Sequence, residues 1–420
     1  MKRKLLTLLA AAATTSALHA QEGLYYLGSE AQESLPLKWM VGVNATYDDN
    51  VSPTAVGIGA NESAFSLNPY VGLSFVNMTP QSTLDVYARL GAIYYIDGPS
   101  APGTDDLYPQ IRAGVNWTRR FTERLRFSSR NFVAYELEPD YAYGFATSRQ
   151  VDAYIFWGTD NAIGYRWTER LATYTGFALE GVDYDSNVTS ADRFTWELYH
   201  QFRYQLTPQS VLTFDYRYAD TSAGGLASDS SSHYLLLGLE HRFSPNTILV
   251  AKAGAQIKRS DAIGGSDGTS PFVELAMRSQ VNEQFSIRAF VRYSSEVYDT
   301  VRVVTVPGAS GLYDFDDRQT LRVGIKASYD LSPKVSIFGG VDYIPSAFDD
   351  GRLTFVNFGA PAPVASGIDE DLLNLYIGLT VRFTERLYGS LSYNYTDNSS
   401  DFAGYSYDRN RINFGLHAEF

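Results

Sequence analysis

The 420-residue chain has no cysteine and carries 34 Lys and Arg against 47 Asp and Glu, a formal net charge of −13. The lack of cysteine excludes disulfide bonds and thiolate metal sites, and the acidic balance argues against a nucleic-acid partner. Tyrosine, phenylalanine and glycine are abundant although the mean hydropathy is slightly negative. Both a soluble protein and a membrane β-barrel can have this profile, since only every second residue of a barrel strand meets lipid.

The N-terminus has the pattern of a secretory signal peptide. A basic start at Met1–Lys4 precedes an apolar run over Leu5–Ala13, and small residues end it at Ala20. We expect cleavage after Ala20, a short periplasmic segment over residues 21–37 and a single barrel over residues 38–420. No later stretch reaches about 18 uninterrupted apolar residues, so the sequence excludes a helical membrane protein.

A short turn motif recurs along the rest of the chain. It has an aromatic or apolar residue, then Thr, Ser or Asn, then Glu or Pro, and a hydrophobic restart. It occurs at residues 78–84, 121–127, 167–173, 206–212, 243–249, 281–287, 331–337 and 383–389. Long polar segments lie between successive copies. Short turns that alternate with long loops are typical of an outer-membrane barrel, although a β-propeller repeats with a similar period.

Alternation with period two, and the aromatic residues at its borders, distinguish these alternatives. The first strand places Trp39, Val41, Val43, Ala45 and Tyr47 on one face. In most later strands the apolar face likewise has aliphatic residues between aromatic ends. Aromatic residues at both borders of an aliphatic band are what two bilayer interfaces require, and a protein core does not require them.

Counting nine hairpins predicts an all-β fold, a transmembrane antiparallel barrel of 18 strands, with 16 as the alternative. Both termini then lie in the periplasm. The final strand ends in Phe420, which resembles the terminal aromatic residue by which the barrel-assembly machinery recognises its substrates. Outer-membrane lipid and lipopolysaccharide are the expected surroundings, and the sequence makes no prediction of the oligomeric state.

The first strand runs through Gly42-Val-Asn-Ala-Thr-Tyr47 into Asp48-Asp49-Asn50-Val51, with a partial echo at residues 182–188. This segment resembles the opening strand of the second β-barrel porin family, a group of porin-like and exopolysaccharide-associated outer-membrane barrels. The resemblance implies a channel that passes small solutes or polysaccharide and has no enzymatic activity.

The predicted inward face has an excess of basic residues. The candidate pore-lining residues are Arg89, Arg112, Arg126, Arg130, Arg203, Arg217, Arg242, Arg288, Arg292, Arg322, Arg382 and Arg411, and Arg278 and Lys326 lie on the same face. A basic wall would favour anions in a narrow lumen. The alternative is a cross-strand ladder neutralised pair by pair, and the sequence does not decide between the two.

The longest predicted loop, residues 347–367, contains Leu353, Phe355 and Phe358. These apolar residues could bury against the lumen as a constriction, or extend the strands, or contact a partner. An enzyme would need a nucleophile activated by a positioned histidine or carboxylate. The five histidines form no such group, and no cofactor or metal motif is present. The sequence therefore predicts a passive, mildly anion-preferring channel, with a structural or surface-binding barrel as the alternative.

Overall fold

A computed structural model describes residues 34–420 except for 54–61, 101–103, 138–152, 186–191, 226, 262–266, 297–299, 307–308 and 359–365. The predicted signal peptide and most of the segment 21–37 lie outside the described residues. Within these ranges no helix is long and apolar enough to span a membrane.

All the elements are β-strands. They are β1 (Leu35–Asp48), β2 (Ala64–Met78), β3 (Ser82–Tyr95), β4 (Leu107–Arg120), β5 (Leu125–Glu136), β6 (Tyr154–Arg166), β7 (Leu171–Tyr184), β8 (Arg193–Thr207), β9 (Ser210–Ala223), β10 (Ser230–Ser244), β11 (Thr247–Ser260), β12 (Gly268–Gln280), β13 (Phe285–Glu296), β14 (Val301–Val306), β15 (Ala309–Ser332), β16 (Val335–Phe358), β17 (Ile368–Arg382), β18 (Leu387–Ser400) and β19 (Tyr407–Glu419).

The strands form one closed antiparallel barrel. Each strand pairs with its neighbours in the chain, and β1 closes the ring by pairing with β19 from Met40 opposite Glu419 to Asp48 opposite Arg411. The short strand β14 is outside the ring, because β13 pairs directly with β15 and β14 pairs only with residues 309–314 of β15. The predicted count of 18 barrel strands is therefore confirmed, and closure leaves no free edge among the ring strands that the structure describes.

The eight repeated motifs form the short turns at one end of the barrel, which we call the turn end. In three of these turns, a threonine follows the aromatic residue. Its hydroxyl accepts hydrogen bonds from the backbone amides two and three residues further along the chain. Thr122 Oγ1 accepts from the amides of Arg124 and Leu125 at 3.1 and 2.9 Å, and Thr168 and Thr384 do the same. Thr is favoured at this position because its side chain satisfies the turn amides. The longer connections lie at the opposite, loop end.

The predicted boundaries need corrections at both ends. β1 begins at Leu35, within the segment predicted to precede the barrel, and β6 begins at Tyr154, whereas its predicted start at 149 lies outside the described residues. β15 and β16 each extend over 24 residues, beyond the predicted strand ranges 316–331 and 334–346. They extend because Asp314 to Arg318 pair with residues 348–352 in a polar hairpin that the hydrophobic pattern does not mark.

The outer face carries the predicted apolar belt. Trp39, Leu90, Ile163, Leu237 and Ile377 are each more than half exposed. At the turn end, Phe121, Trp167, Phe243 and Phe383 are exposed by 53 to 60%. The predicted register is therefore confirmed, because its outward residues form this exposed surface.

Several glycines of the inner wall lie beneath aromatic rings of the adjacent strand. A Cβ on Gly114 would meet the Tyr87 ring at 2.5 Å, and one on Gly164 would meet the Tyr174 ring at 2.4 Å. Only glycine leaves room for a ring to lie flat on the strand. These glycines thus leave room on the inner wall for the tyrosine rings of the adjacent strands.

Candidate functional site

The inner face is identified by contacts between strands that are not neighbours, which only a concave surface allows. Arg217 of β9 lies 4.0 Å from the Glu274 carboxylate of β12, and Lys252 of β11 lies 2.7 Å from Asp215 of β9. Arg217 also approaches Asp215 at 3.7 Å. These charged side chains line the lumen, and they are alternately basic and acidic.

Several of the predicted pore-lining arginines belong to cross-strand ion pairs. Arg112 Nη2 lies 2.9 Å from Glu136, and Arg130 lies 3.8 Å from Asp160. Arg203 donates to the Glu240 carboxylate at 2.7 Å. For these residues the geometry is that of a neutralised ladder, the structural alternative that the sequence left open.

Two of the predicted arginines, Arg292 and Arg322, converge with Arg318, which was not predicted, on one carboxylate near the loop end. Glu296 accepts from Arg322 at 2.6 and 2.8 Å and from Arg292 at 3.2 Å, and Arg318 lies 3.6 Å away. Glu296, Arg318 and Arg322 are almost fully buried. We call these four residues the Glu296 cluster.

The remaining predicted arginines have other surroundings. Arg89 lies over the Tyr70 ring at 3.8 Å and donates to Asn68, and Arg411 donates to Asn394 at 2.8 Å. Arg126, Arg242 and Arg382 form no ion pair with any carboxylate among the described residues. All three lie towards the turn end.

The strand register brings four basic residues into one row near the turn end. Arg242 of β10 is opposite Ile248 of β11, which is opposite Arg278 of β12. Arg278 is in turn opposite Arg288 of β13, and Arg288 is opposite Lys326 of β15. We call Arg242, Arg278, Arg288 and Lys326 the basic row. Like charges directly opposite one another destabilise a sheet, and Arg278, Arg288 and Lys326 lie opposite one another in this way.

At the loop end, β14 and residues 309–318 of β15 form an extension on the lumen side. The β12–β13 ladder stops at Val273 and Tyr293, close to Pro271, which has no backbone N–H. Above that point the side-chain amide of Gln256 on β11 bonds both backbone groups of Ser295 on β13, at 2.9 and 3.1 Å. β13 therefore leans inward across β12.

The extension contacts distant strands on both sides. On one side, Asp316 accepts from Ser260 of β11 at 2.9 Å and also binds Lys258 through its backbone carbonyl. On the other side, Arg302 lies 3.8 Å from Glu370 of β17 and 5.1 Å from the centre of the Phe348 ring. The extension thus crosses part of the loop end from β11 to β17.

The predicted constriction loop is placed differently. Leu353, Phe355 and Phe358 belong to β16, where they are opposite Tyr313, Leu312 and Ser310. Phe355 is 58% exposed. The prediction of a loop at these positions is wrong and the strand extension is correct, because β15 supplies a hydrogen-bonding partner up to Phe358. Their role in narrowing the pore stays a prediction.

The segment Asp48-Asp49-Asn50 connects the first strand to the last at the loop end. Arg409 Nε lies 3.0 Å from both Asp48 carboxylate oxygens, and Asp49 accepts from the backbone and side-chain amides of Asn410 at 2.6 and 2.7 Å. Asn50 Nδ2 donates to the carbonyl of Asp408 at 2.8 Å. These contacts, which we call the seam clasp, hold the strand pair that closes the barrel.

Phe420 lies at the other end of the same seam. Its amide donates to the Trp39 carbonyl at 2.8 Å, and its carbonyl accepts from the Trp39 amide at 3.1 Å. The ring is 62% exposed on the outer face. Phe420 is therefore the final paired residue of the closure, and its role as an assembly signal stays a prediction.

The four histidines within the described residues bind neighbouring hydroxyls. His200 bonds Thr175, His241 bonds Ser210, His233 bonds Tyr216, and His417 bonds Tyr70 and Ser390. In the part of the chain that the structure describes, no group of three or more His, Asp or Glu residues could hold a metal ion.

No family model matches the chain, and no curated protein is significantly similar to it. The resemblance to the second β-barrel porin family thus stays a prediction. Solved structures that align with the chain include Acinetobacter baumannii OccAB4 (14% identity, 92% of this chain and 99% of that chain, TM-score 0.45). Pseudomonas aeruginosa OccK1 has 14% identity over 91% and 99% of the chains with a TM-score of 0.46. A BenF-like porin from Pseudomonas fluorescens Pf-5 has 10% identity over 93% and 100% with a TM-score of 0.45.

Proposed function

We propose that the protein is a porin-like channel whose barrel spans the outer membrane, with the turn end in the periplasm and the loop end outside. The exposed apolar belt is the observation on which this proposal rests. Its aliphatic and aromatic side chains would be costly in water over so large an area. They fit a bilayer with an aromatic border at each interface.

We further propose that the lumen passes small hydrophilic solutes with a mild preference for anions. The basic row supports this, since four cations share one register at the turn end of the wall, away from the Glu296 cluster. A fixed charge in a narrow lumen is only partly screened at physiological salt, where the Debye length is about 8 Å. Passage of polysaccharide is supported by the family resemblance alone.

The partners follow from this location. Outer-membrane lipid would cover the belt, lipopolysaccharide would surround the loop end, and the barrel-assembly machinery would insert the chain. The exposed Phe420 ring, at the end of the closing strand, is the residue we propose for recognition by that machinery.

Single-channel recording of the refolded protein in a planar bilayer tests the proposal. We expect discrete conductance steps and, in a low-salt gradient, a reversal potential that indicates anion preference. The R278Q/R288Q/K326Q variant should shift that potential towards cations by on the order of 10 mV.

The matched control is R124Q/R170Q/R386Q, which removes the same three charges from exposed positions in the short turns. It should change the potential less than the lumen variant. A bilayer that stays silent under all conditions would instead support the alternative, a structural or surface-binding barrel. Equal shifts of the reversal potential in both variants would show that the basic row does not set the ion preference of the lumen.

A further inference from the structure

At the middle of the outer face, polar side chains lie side by side on two of the described strands. Ser129 and Asn131 of β5 lie beside Thr159 and Asn161 of β6, with Ser129 opposite Asn161 and Asn131 opposite Thr159. We call these four residues the polar patch. On the other side of β6, Thr175 of β7 and His200 of β8 continue the polar surface.

The patch lies at the middle of the belt. On β6 the outward residues Trp157 and Tyr165 are each four residues from Asn161, about 13 Å along the strand. On the described strands other than β5 to β8, the middle outward positions hold apolar residues, glycine or tyrosine, for example Val43, Leu237 and Ile377. The patch would therefore meet hydrocarbon in a barrel that spans a bilayer.

The four side chains bond one another without using all their hydrogen-bonding groups. Thr159 Oγ1 donates to Asn131 Oδ1 at 2.7 Å, Asn131 Nδ2 donates to Ser129 at 3.0 Å, and Asn161 Nδ2 donates to Thr159 at 2.7 Å. Each amide has a second N–H. Within the described residues no group donates to Asn161 Oδ1. Leaving such groups in hydrocarbon costs several kcal/mol each.

We propose that the polar patch is the contact surface for a second copy of this chain. The proposal depends on the membrane location proposed above. The hydrogen-bonding groups left over are the second amide N–H groups and the Asn161 Oδ1 acceptor. In a dimer with two-fold symmetry, the side-chain amides of each copy can therefore bond those of the other copy. The patch carries no charge, and identical copies therefore do not repel each other there.

The depth of the patch favours this occupant. A two-fold axis along the membrane normal keeps each residue at its own depth, so that Asn161 meets Asn161 of the other copy. Lipid headgroups lie beyond the aromatic borders, and a soluble protein does not reach the middle of the bilayer. A copy of the same barrel is present at the right depth in every membrane that contains the chain.

Cysteine cross-linking in membranes tests the contact, because the natural chain has no cysteine. Ile163 lies next to the patch and is 55% exposed, and Ile377 of β17 lies on the far side of the barrel and is 59% exposed. We expect mild oxidation to give a covalent dimer from Ile163→Cys and only monomer from Ile377→Cys. Equal cross-linking of both, or monomer from both, would overturn the proposal.

The N131L/N161L substitutions provide the second arm. Added to Ile163→Cys, they should reduce the dimer fraction at least several-fold, while the barrel stays folded, as judged by heat-modifiable migration. A dimer that persists in this folded variant would also overturn the proposal. Channel recording of the same samples tests the channel function separately from the dimer contact. Silent bilayers with an intact dimer would contradict the channel function alone, and conducting monomers would contradict the dimer alone.

Discussion

Strands β10 to β15 build two ends of one inner wall in opposite ways. Near the loop end, Arg292, Arg318 and Arg322 converge on the buried Glu296 carboxylate. Near the turn end, the basic row places cations opposite one another along the same strands. In the first arrangement three guanidinium groups share one buried carboxylate, and in the second like charges lie opposite one another on adjacent strands, at a cost in stability. Similar arginines on one face therefore have different roles, and the cross-strand register decides which.

The largest expected effect comes from removing the carboxylate of the Glu296 cluster. Glu296→Gln leaves buried guanidinium groups without their counter-charge, and loss of one partner of a buried pair costs about 3–5 kcal/mol. We expect a lower urea midpoint for unfolding from lipid vesicles, followed by tryptophan fluorescence. The control is Glu240→Gln, whose side chain is 17% exposed and should matter less. Equal midpoints for wild type and Glu296→Gln would show that the cluster is not structural.

The seam clasp contains another buried ion pair at the loop end, and we expect this pair to stabilise the barrel as the Glu296 cluster does. Asp48→Asn removes the charge that accepts three hydrogen bonds from Arg409. The expected loss is about 2–3 kcal/mol, since hydrogen bonds to charged groups are the stronger kind. Asp267→Asn, at an exposed position, is the control. If the two variants unfold at the same urea concentration, the clasp does not hold the barrel closed.

Phe420 lies at the turn end of the seam, opposite the seam clasp. Phe420→Asp keeps the backbone pairing with Trp39 possible but places a charge at the outer border, where an aromatic residue is favoured. We expect a smaller heat-modifiable, folded fraction in cells. Phe420→Tyr should behave like the wild type. An unchanged folded fraction in Phe420→Asp would contradict the assembly role.

The smallest expected effect on stability is at the basic row. R278Q/R288Q/K326Q removes like charges that face one another, so we expect unfolding at an equal or slightly higher urea concentration, by up to about 1 kcal/mol. A marked loss of stability would show that the row is structural, as the Glu296 cluster is. The contrast between the two ends of the wall would then disappear.

Much of the fold could be predicted from the sequence because its pattern is local. The recurring Thr-Glu-Arg turns mark hairpins. In the first strand every second residue from Trp39 to Tyr47 is apolar, and this alternation identifies the outer face of the strand. The full length of β15 and β16 was not predicted: the predicted strands cover 316–331 and 334–346, and the residues beyond them have no continuous apolar alternation. Strand β14 is rich in valine, but its six residues are fewer than a membrane-crossing strand needs, so the pattern of such strands does not mark it or the extension at the loop end.

The sequence by itself determined the strand count, the outer register and the basic excess of the inner wall, since each depends on neighbours in the chain. Only the tertiary structure decided which inward residues meet. Asp48 and Arg409 are 361 positions apart, and Arg278, Arg288 and Lys326 become one row only through the register of three strands. Pairing across a closed sheet is set by hydrogen-bond register over the whole ring. No local pattern of residues records that register.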